Sequence, residues 1–196
     1  MNVVQPIRDP EVVEAIQDHL RITSERDYIF FSLGVFSGLR VSDLLDLQVW
    51  EVRGTHVHIT EGKTGKQKKF IIHTDIRDDL DAFISGKKDD DYLFSSRQKK
   101  TSTGLKKRPI DRSQAYKMLN KVARKFNLKE IGCHTMRKTW GYRLWMDDER
   151  NLTLLMEMFN HDSERVTLRY LGVTQDAMDK AILRMSYTKK GKSRTR

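Results

Sequence analysis

Cysteine is almost absent from this chain: among 196 residues, Cys133 is the only one. A single thiol allows no intramolecular disulfide and no cysteine-rich zinc site, and it lends no support to an oxidising compartment. The six histidines, at positions 19, 56, 58, 73, 134 and 161, include no H-x-x-x-H pair. His56 and His58 alternate along one strand face but lack a third ligand, so no metal and no cofactor are expected. No P-loop or dinucleotide-binding glycine pattern occurs, and no internal repeat. Long apolar runs are missing too. Nothing approaches the ~20 residues of a membrane span, and the start, MNVVQPIRDP, has no basic region leading into an apolar stretch. A soluble, cytoplasmic protein that makes no use of a membrane is expected.

Acidic residues are outnumbered, 27 against 37 Lys and Arg, for a net charge of +10 and a pI near 9.7. The 38% hydrophobic and 9% aromatic content supplies a core, while 33% charged residues demand a heavily charged surface. The excess is concentrated. Between Ser95 and Glu130, twelve basic residues (Arg97, Lys99, Lys100, Lys106, Lys107, Arg108, Arg112, Lys117, Lys121, Arg124, Lys125 and Lys129) meet only Asp111 and Glu130. The last nine residues, TKKGKSRTR, add five bases and no acid, whereas Asp75 to Asp91 holds seven acids and three bases. Such basic segments bind phosphate backbones by releasing counterions, which makes a nucleic acid the expected partner. Lys66, Arg97, Lys99, Lys100, Lys106, Lys107, Arg108 and Arg112 are the candidate contacts. They are expected to track phosphates rather than read bases.

Helical signals dominate both ends. Asp9 before Pro10 is a cap followed by a favoured first-turn residue, and Val13, Ile16 and Leu20 then share a face. Ser24 with Asp27 has a capping-box pattern, opening a helix through YIFFSLGVF to a stop at Gly38. Ser42 is placed as the cap of a third helix carrying Leu44, Leu45 and Leu47. The middle changes period. HVHIT (His56 to Thr60) and KKFIIH (Lys68 to His73) read as a β-hairpin around GKTGK, and Tyr92 to Phe94 as a further short strand. Helical spacing returns in Ala115, Met118, Leu119, Val122 and Phe126, then over Thr135 to Asp147, Leu152 to Phe159, Ser163 to Tyr170 and Thr174 to Met185. The fold class is therefore mainly α with a small antiparallel β-sheet, an α+β arrangement.

Three segments stand out against a nucleic-acid partner: SGLRVSDLL around Arg40, CHTMRKTWG around His134 and Arg137, and FNHDSERVTLRYLG around His161 and Tyr170. Singly, each has a structural explanation. Arg40 could finish a helix, Lys63 and Lys66 could be solvated turn lysines, and the histidines could be ordinary hydrogen-bonded side chains. Tyr170 competes with Tyr142 and Tyr187 for any chemical role. Taken together with Lys63 in EGKTGK, in this order and at this spacing, they resemble the catalytic domain of the tyrosine recombinase (phage integrase) family, over roughly Ile7 to Met185. The resemblance implies that family's catalytic-domain fold. It also implies a catalytic set of Arg40, Lys63, His134, Arg137, His161 and Tyr170, supported by Asp43, with Tyr170 as nucleophile.

The chemistry of these groups agrees. A phosphodiester gains charge in its pentavalent transition state, so a site without metal needs fixed cations, and two arginines hold nonbridging oxygens bidentately. H-x-x-R puts imidazole and guanidinium on neighbouring turns of one helix face. A hairpin lysine can protonate the leaving 5′ oxygen, His134 can act as acid or base, and His161 can donate to the phosphate. A phenol, with a reference pKa of ~10, needs such company to attack. The resulting 3′-phosphotyrosyl ester preserves the phosphodiester linkage in another form, so rejoining needs neither ATP nor metal.

From the resemblance follow double-stranded DNA as substrate, a homo-tetramer on paired sites, and accessory DNA-bending or directionality proteins. The outcome would be integration, excision or inversion, as for a mobile element. The C-terminal helix, with Ala177, Met178, Ala181, Ile182 and Met185 on its apolar face, is expected to be exchanged between protomers, the alternative being that it folds back on its own chain and that face is core. The chain is expected to form one catalytic domain over 1–187 with a basic tail over 188–196 and no N-terminal core-binding domain, similar to the short fimbrial phase-variation invertases, or else to be a fragment of a larger integrase. FNH replaces the more usual Leu-Gly-His, and Lys138 and Trp140 follow H-x-x-R where another pattern is common. The competing expectations are a type IB topoisomerase-like relaxase, a catalytically weak DNA-binding accessory protein, and an RNA-binding basic protein.

Overall fold

A computed structural model of the protein describes residues 4–60, 62, 65, 67–96 and 108–185, without the side chains of Gln175 and Ala181. Helices dominate it, because most apolar residues recur at helical spacing between strong caps. Helix α1 (Pro10–Thr23) starts where the Asp9 carboxylate accepts from the Glu11 N–H, and it buries Ile16 and Leu20. Helix α2 (Glu25–Ser37) is capped by Ser24, whose hydroxyl accepts from the Asp27 N–H at 3.4 Å. Only half of the expected capping box forms. The Ser24 N–H already donates to Leu20 O at 2.8 Å, and the Asp27 carboxylate accepts from Arg26 instead. Tyr28 to Leu33 are buried on every side, so α2 is the axis of the molecule, packed against α1, α4 and α6.

Gly34 allows the α2–α6 approach: a Cβ there would lie 2.6 Å from the Met136 sulfur. The helix ends at Gly38 in the left-handed region, φ +63°. Helix α3 (Val41–Asp46) begins earlier than expected. Arg40, not Ser42, occupies the cap position, with extended backbone and no capping bond from its side chain. The guanidinium is thereby spared for other work.

Strands β1 (His56–Thr60) and β2 (Gln67–Ile71) form the antiparallel hairpin, in register from His56 opposite Ile71 to Thr60 opposite Gln67. Val57 and Ile59 face the core while His58 and Thr60 face outward. The second strand is shorter than the sequence suggested. His73 leaves the sheet and accepts from the Asp75 N–H, capping a helix the sequence did not announce, α4 (Thr74–Ile84). Ile76, Leu80 and Ile84 line its buried face, and Arg77 on the outside donates to the carbonyls of Val52 and Gly54, each at 3.0 Å. Tyr92 to Phe94 is not a strand either. Isolated bridges join Gln48 to Tyr92 and Ser95 to Pro109, while Leu93 and Phe94 are buried, Phe94 edge-on to Phe30 at 5.1 Å.

Helix α5 (Arg112–Lys125) has a complete capping box between Asp111 and Gln114. Helices α6 (Thr135–Asp147), α7 (Leu152–Phe159), α8 (Glu164–Leu171) and α9 (Val173–Arg184) follow. Two apolar clusters result. The large one surrounds α2, and a small one gathers Leu155, Phe159, Leu171 and Val173 beneath Trp140, Tyr142, Leu168 and Tyr170. Helix α6 faces both, and H-x-x-R spans its cap and first turn where they meet. No helix among the described residues is long and apolar enough to cross a membrane.

Candidate active site

Arg40 follows the α2 stop, and its side chain is 15% exposed, 3.8 Å from the buried Asp43 carboxylate. Asp43 also accepts from the Gly62 N–H at 3.4 Å, which ties the hairpin turn to the first arginine. Lys63, Lys66 and the basic residues Arg97, Lys99, Lys100, Lys106 and Lys107 lie outside the described residues. Of the expected DNA contacts, Arg108 is half-buried and Arg112 is exposed at the start of α5.

Arg137, in the first turn of α6, is buried. Its guanidinium donates to Gly38 O and to Met158 O, the latter at 3.1 Å, and lies over the Phe159 ring at 4.7 Å. Lys68 of β2 donates to the same Met158 carbonyl. The fork is thus fixed by main-chain acceptors from two different parts of the chain, so it is oriented before any anion arrives. His134 is the cap residue of α6 rather than a member of it, and is exposed.

His161 follows α7, which ends at Asn160 in the left-handed region. The His161 Nδ1 is 3.1 Å from the hydroxyl of the fully buried Thr167. For Nε2 to donate to a phosphate, Nδ1 has to accept from that hydroxyl.

Tyr170 lies near the end of α8, half-buried. His161 meets its ring at 5.2 Å and 74°, Phe159 at 5.0 Å and 62°, and His134 at 6.5 Å and 85°. The Lys138 ammonium sits 4.8 Å from the ring centroid. Burial pushes the phenol's pKa up, against the charges of Arg137 and then Arg40 and a hydrogen bond from Arg137, which hold it down. The phenol is therefore protonated at neutral pH but aimed at the groups that would stabilise its anion. Tyr142 instead faces Arg8 and Asp176, and Tyr187 lies outside the described residues. Five of the six expected catalytic residues can be placed, and all five converge.

Both site histidines are held neutral. The pKa of His134 is lowered by the protein atoms around it, then by Arg112, Arg137, Lys138 and Arg40. That of His161 is lowered by burial, then Arg137 and Arg40, with Asp162 opposing. Because the folded-state pKa lies below the unfolded value of ~6.5, the unfolded chain binds more protons as pH falls through that value, and stability drops on the acid side. The melting temperature is expected to fall by a few degrees between pH 7.5 and 5.5, more steeply than in His161→Gln at matched ionic strength. Parallel pH profiles for the two proteins would refute this.

Sequence reasoning did not assign the buried Lys138, the Phe159 platform, the Thr167 partner or the Met158 carbonyl. Lys138 was visible only as an unusual residue after H-x-x-R; nothing in the sequence marked the other three.

Residues 8–177 match the phage integrase family. The chain belongs to that family. This family member is 36% identical over 177 residues to the probable integrase/recombinase YoeC of Bacillus subtilis (strain 168), covering 90% of this chain and 93% of that protein. Among solved structures, the XerA recombinase shares its fold at a TM-score of 0.68 and 18% identity, over 94% of this chain and 66% of that one. The XerH site-specific recombinase bound to a palindromic difH substrate, in a post-cleavage complex, does so at 0.66 and 16%, over 92% of this chain and 53% of that one. The integrase-family chain thus spans nearly the whole of YoeC, about two thirds of XerA and about half of XerH.

Proposed function

We propose that this phage integrase family member is a site-specific DNA recombinase that cuts and rejoins strands through a covalent 3′-phosphotyrosyl bond to Tyr170. The observation that carries the reading is the convergence, within one chain, of the Tyr170 phenol with Arg137, Arg40, His161 and His134. The arginines bind the scissile phosphate and stabilise the negative charge of the pentavalent transition state. As the phenol attacks phosphorus, its proton passes to a neutral imidazole or to solvent, and the bond to the 5′ oxygen breaks. Lys63, next to the Asp43-anchored Gly62, protonates that oxygen. Attack by a new 5′ hydroxyl reverses the steps and releases Tyr170.

Duplex DNA is the substrate. The net charge of +10 favours it, as does the XerH neighbour, solved bound to a palindromic difH substrate. The family names of the relatives favour strand exchange over relaxation alone. Helix α9 and the Met185 that caps it leave Met178, Ile182, Leu183 and Met185 between 52% and 84% exposed, a surface that suits exchange with a neighbouring protomer in a tetramer on paired sites.

The test is covalent trapping on nicked suicide duplexes, without metal or ATP. Wild-type protein is expected to form an adduct that survives denaturing electrophoresis. Tyr170→Phe is expected to form none while binding the same duplex within about twofold. An adduct persisting in Tyr170→Phe would refute the assignment.

A further inference from the structure

Lys138 is the unassigned charge at the centre of the site. It is 8% exposed, on the turn of α6 just after Arg137, and its ammonium lies 4.8 Å from the Tyr170 ring centroid. Lysine is seldom buried so deeply without a specific partner. Aliphatic side chains fill the small cluster beneath at no desolvation cost, so bulk alone does not explain a charge here. The other ring neighbours of Tyr170 are Phe159, His161 and His134. Lys138 alone among these presents a full positive charge to an aromatic face, the arrangement in which the ring quadrupole attracts a cation, most strongly when desolvated.

We propose that Lys138 is a positioning residue for the nucleophile: its ammonium, held against the Tyr170 ring of the same chain, keeps the phenol turned toward Arg137 and Arg40, so that each protomer delivers its own tyrosine. This deepens the reading of Tyr170 as nucleophile and rests on it. Helix α6 then carries three functions within five residues: the cap histidine, the phosphate-binding arginine and the clamp on the attacking group. Burial, and after it the Arg8 charge, lower the lysine's pKa. The same Arg8 donates to Asp176 of α9 at 3.0 and 3.1 Å, so the carboxylate offsets a charge that would otherwise disfavour the clamp.

The experiment compares adduct formation at saturating suicide duplex for wild type, Lys138→Met, Lys138→Arg and Tyr170→Phe, with duplex affinity measured in parallel. Methionine keeps the side chain's length and apolar stem but removes the charge. The expected result is an adduct rate lowered about tenfold in K138M, equivalent to about 1.4 kcal/mol, with affinity changed less than twofold and K138R within about threefold of wild type. Mixing K138M with Tyr170→Phe is expected to give no faster adduct formation than K138M alone, because an intact lysine on a neighbour holds no ring in another chain.

Four results would overturn the inference: a K138M rate equal to wild type; K138R as slow as K138M, which would make the role one of shape; a fall in affinity that accounts for the whole loss, which would make Lys138 a phosphate contact; or recovery in the mixture. If K138M melts below the assay temperature, Lys138→Gln replaces it, and equal rates for Gln and Arg variants overturn the inference equally. A wild-type protein that forms no Tyr170-dependent adduct refutes the nucleophile itself and this inference with it, whereas normal wild-type trapping with an unaffected K138M refutes the inference alone.

Discussion

Arg137→Lys is expected to slow adduct formation at least a hundredfold while leaving the protein folded. Removing one preorganised donor to a developing oxyanion typically costs 10²–10³ in rate, and Arg137 does more than donate. Its planar fork spans Gly38 O and Met158 O while hydrogen-bonding the Tyr170 phenol. A lysine ammonium is a compact point charge on a flexible stem and cannot reproduce that fixed, multidentate geometry. The phosphate would lose bidentate binding and the phenol would lose its aim. The variant also takes a donor from the buried Gly38 carbonyl, at about 1–3 kcal/mol, while Met158 O keeps Lys68, so a melting temperature lowered by several degrees should accompany the kinetic loss. Single-turnover trapping beside a thermal melt separates the two effects. A rate within tenfold of wild type would remove Arg137 from the chemistry.

Gly38→Ala should be strongly damaging although it lies outside the reacting groups. The residue sits at φ +63°, where a Cβ costs about 1–2 kcal/mol. The Cβ would also lie 2.3–2.8 Å from three carbons of the Trp140 ring, itself packed edge-on to Phe159 at 5.7 Å. Overpacking of this kind costs a further 1–3 kcal/mol or so. The sum lowers the melting temperature by about 10 °C in a protein of this size. Because Gly38 supplies a carbonyl to Arg137, trapping should fall at temperatures where the variant is still folded. Pairing it with Trp140→Leu, which opens the space, is expected to recover part of the stability but not the backbone strain. A melt within 2 °C of wild type for Gly38→Ala would contradict both terms.

How far the molecule could be read from its residues follows from where the determining interactions lie. Helices α1, α2 and α5 to α9 were legible because their caps and apolar spacing are local: Asp9, Ser24, Gly38 and Ser163 act within a few positions of themselves. Helix α4 was not, because its acids dominate TDIRDDLDAFI and hide the Ile76, Leu80, Ile84 stripe, while its cap is a histidine that also extends the preceding β-like pattern. Arg40 stands at the cap position that sequence reasoning assigned to Ser42. The serine two residues later is the commoner cap residue, yet the extended Arg40 backbone starts the helix without help from its side chain. The described residues that come together around Tyr170 were legible in the sequence, since few residue types can bind or attack a phosphate and these stand in a distinctive order. Lys138 against Tyr170 and Thr167 beneath His161 depend on how α6, α7 and α8 lie on one another, and no short-range pattern encodes that.

The two carbonyls that hold Arg137 belong to the backbone, and this bears on how the protein can evolve. Every residue type offers the same acceptor, so the Met158 oxygen stays in place whichever side chain descends at that position, provided α7 still ends there. Lys68 shares that oxygen, so the hairpin inherits the same tolerance. Lineages can therefore drift at position 158, and in much of the surface around it, without disturbing the orientation of the guanidinium. Selection is left to act on the arginine and on the helix ends that aim main-chain oxygens at it, which lets a recombinase diversify its surroundings for new DNA targets while its phosphate-binding geometry stays fixed.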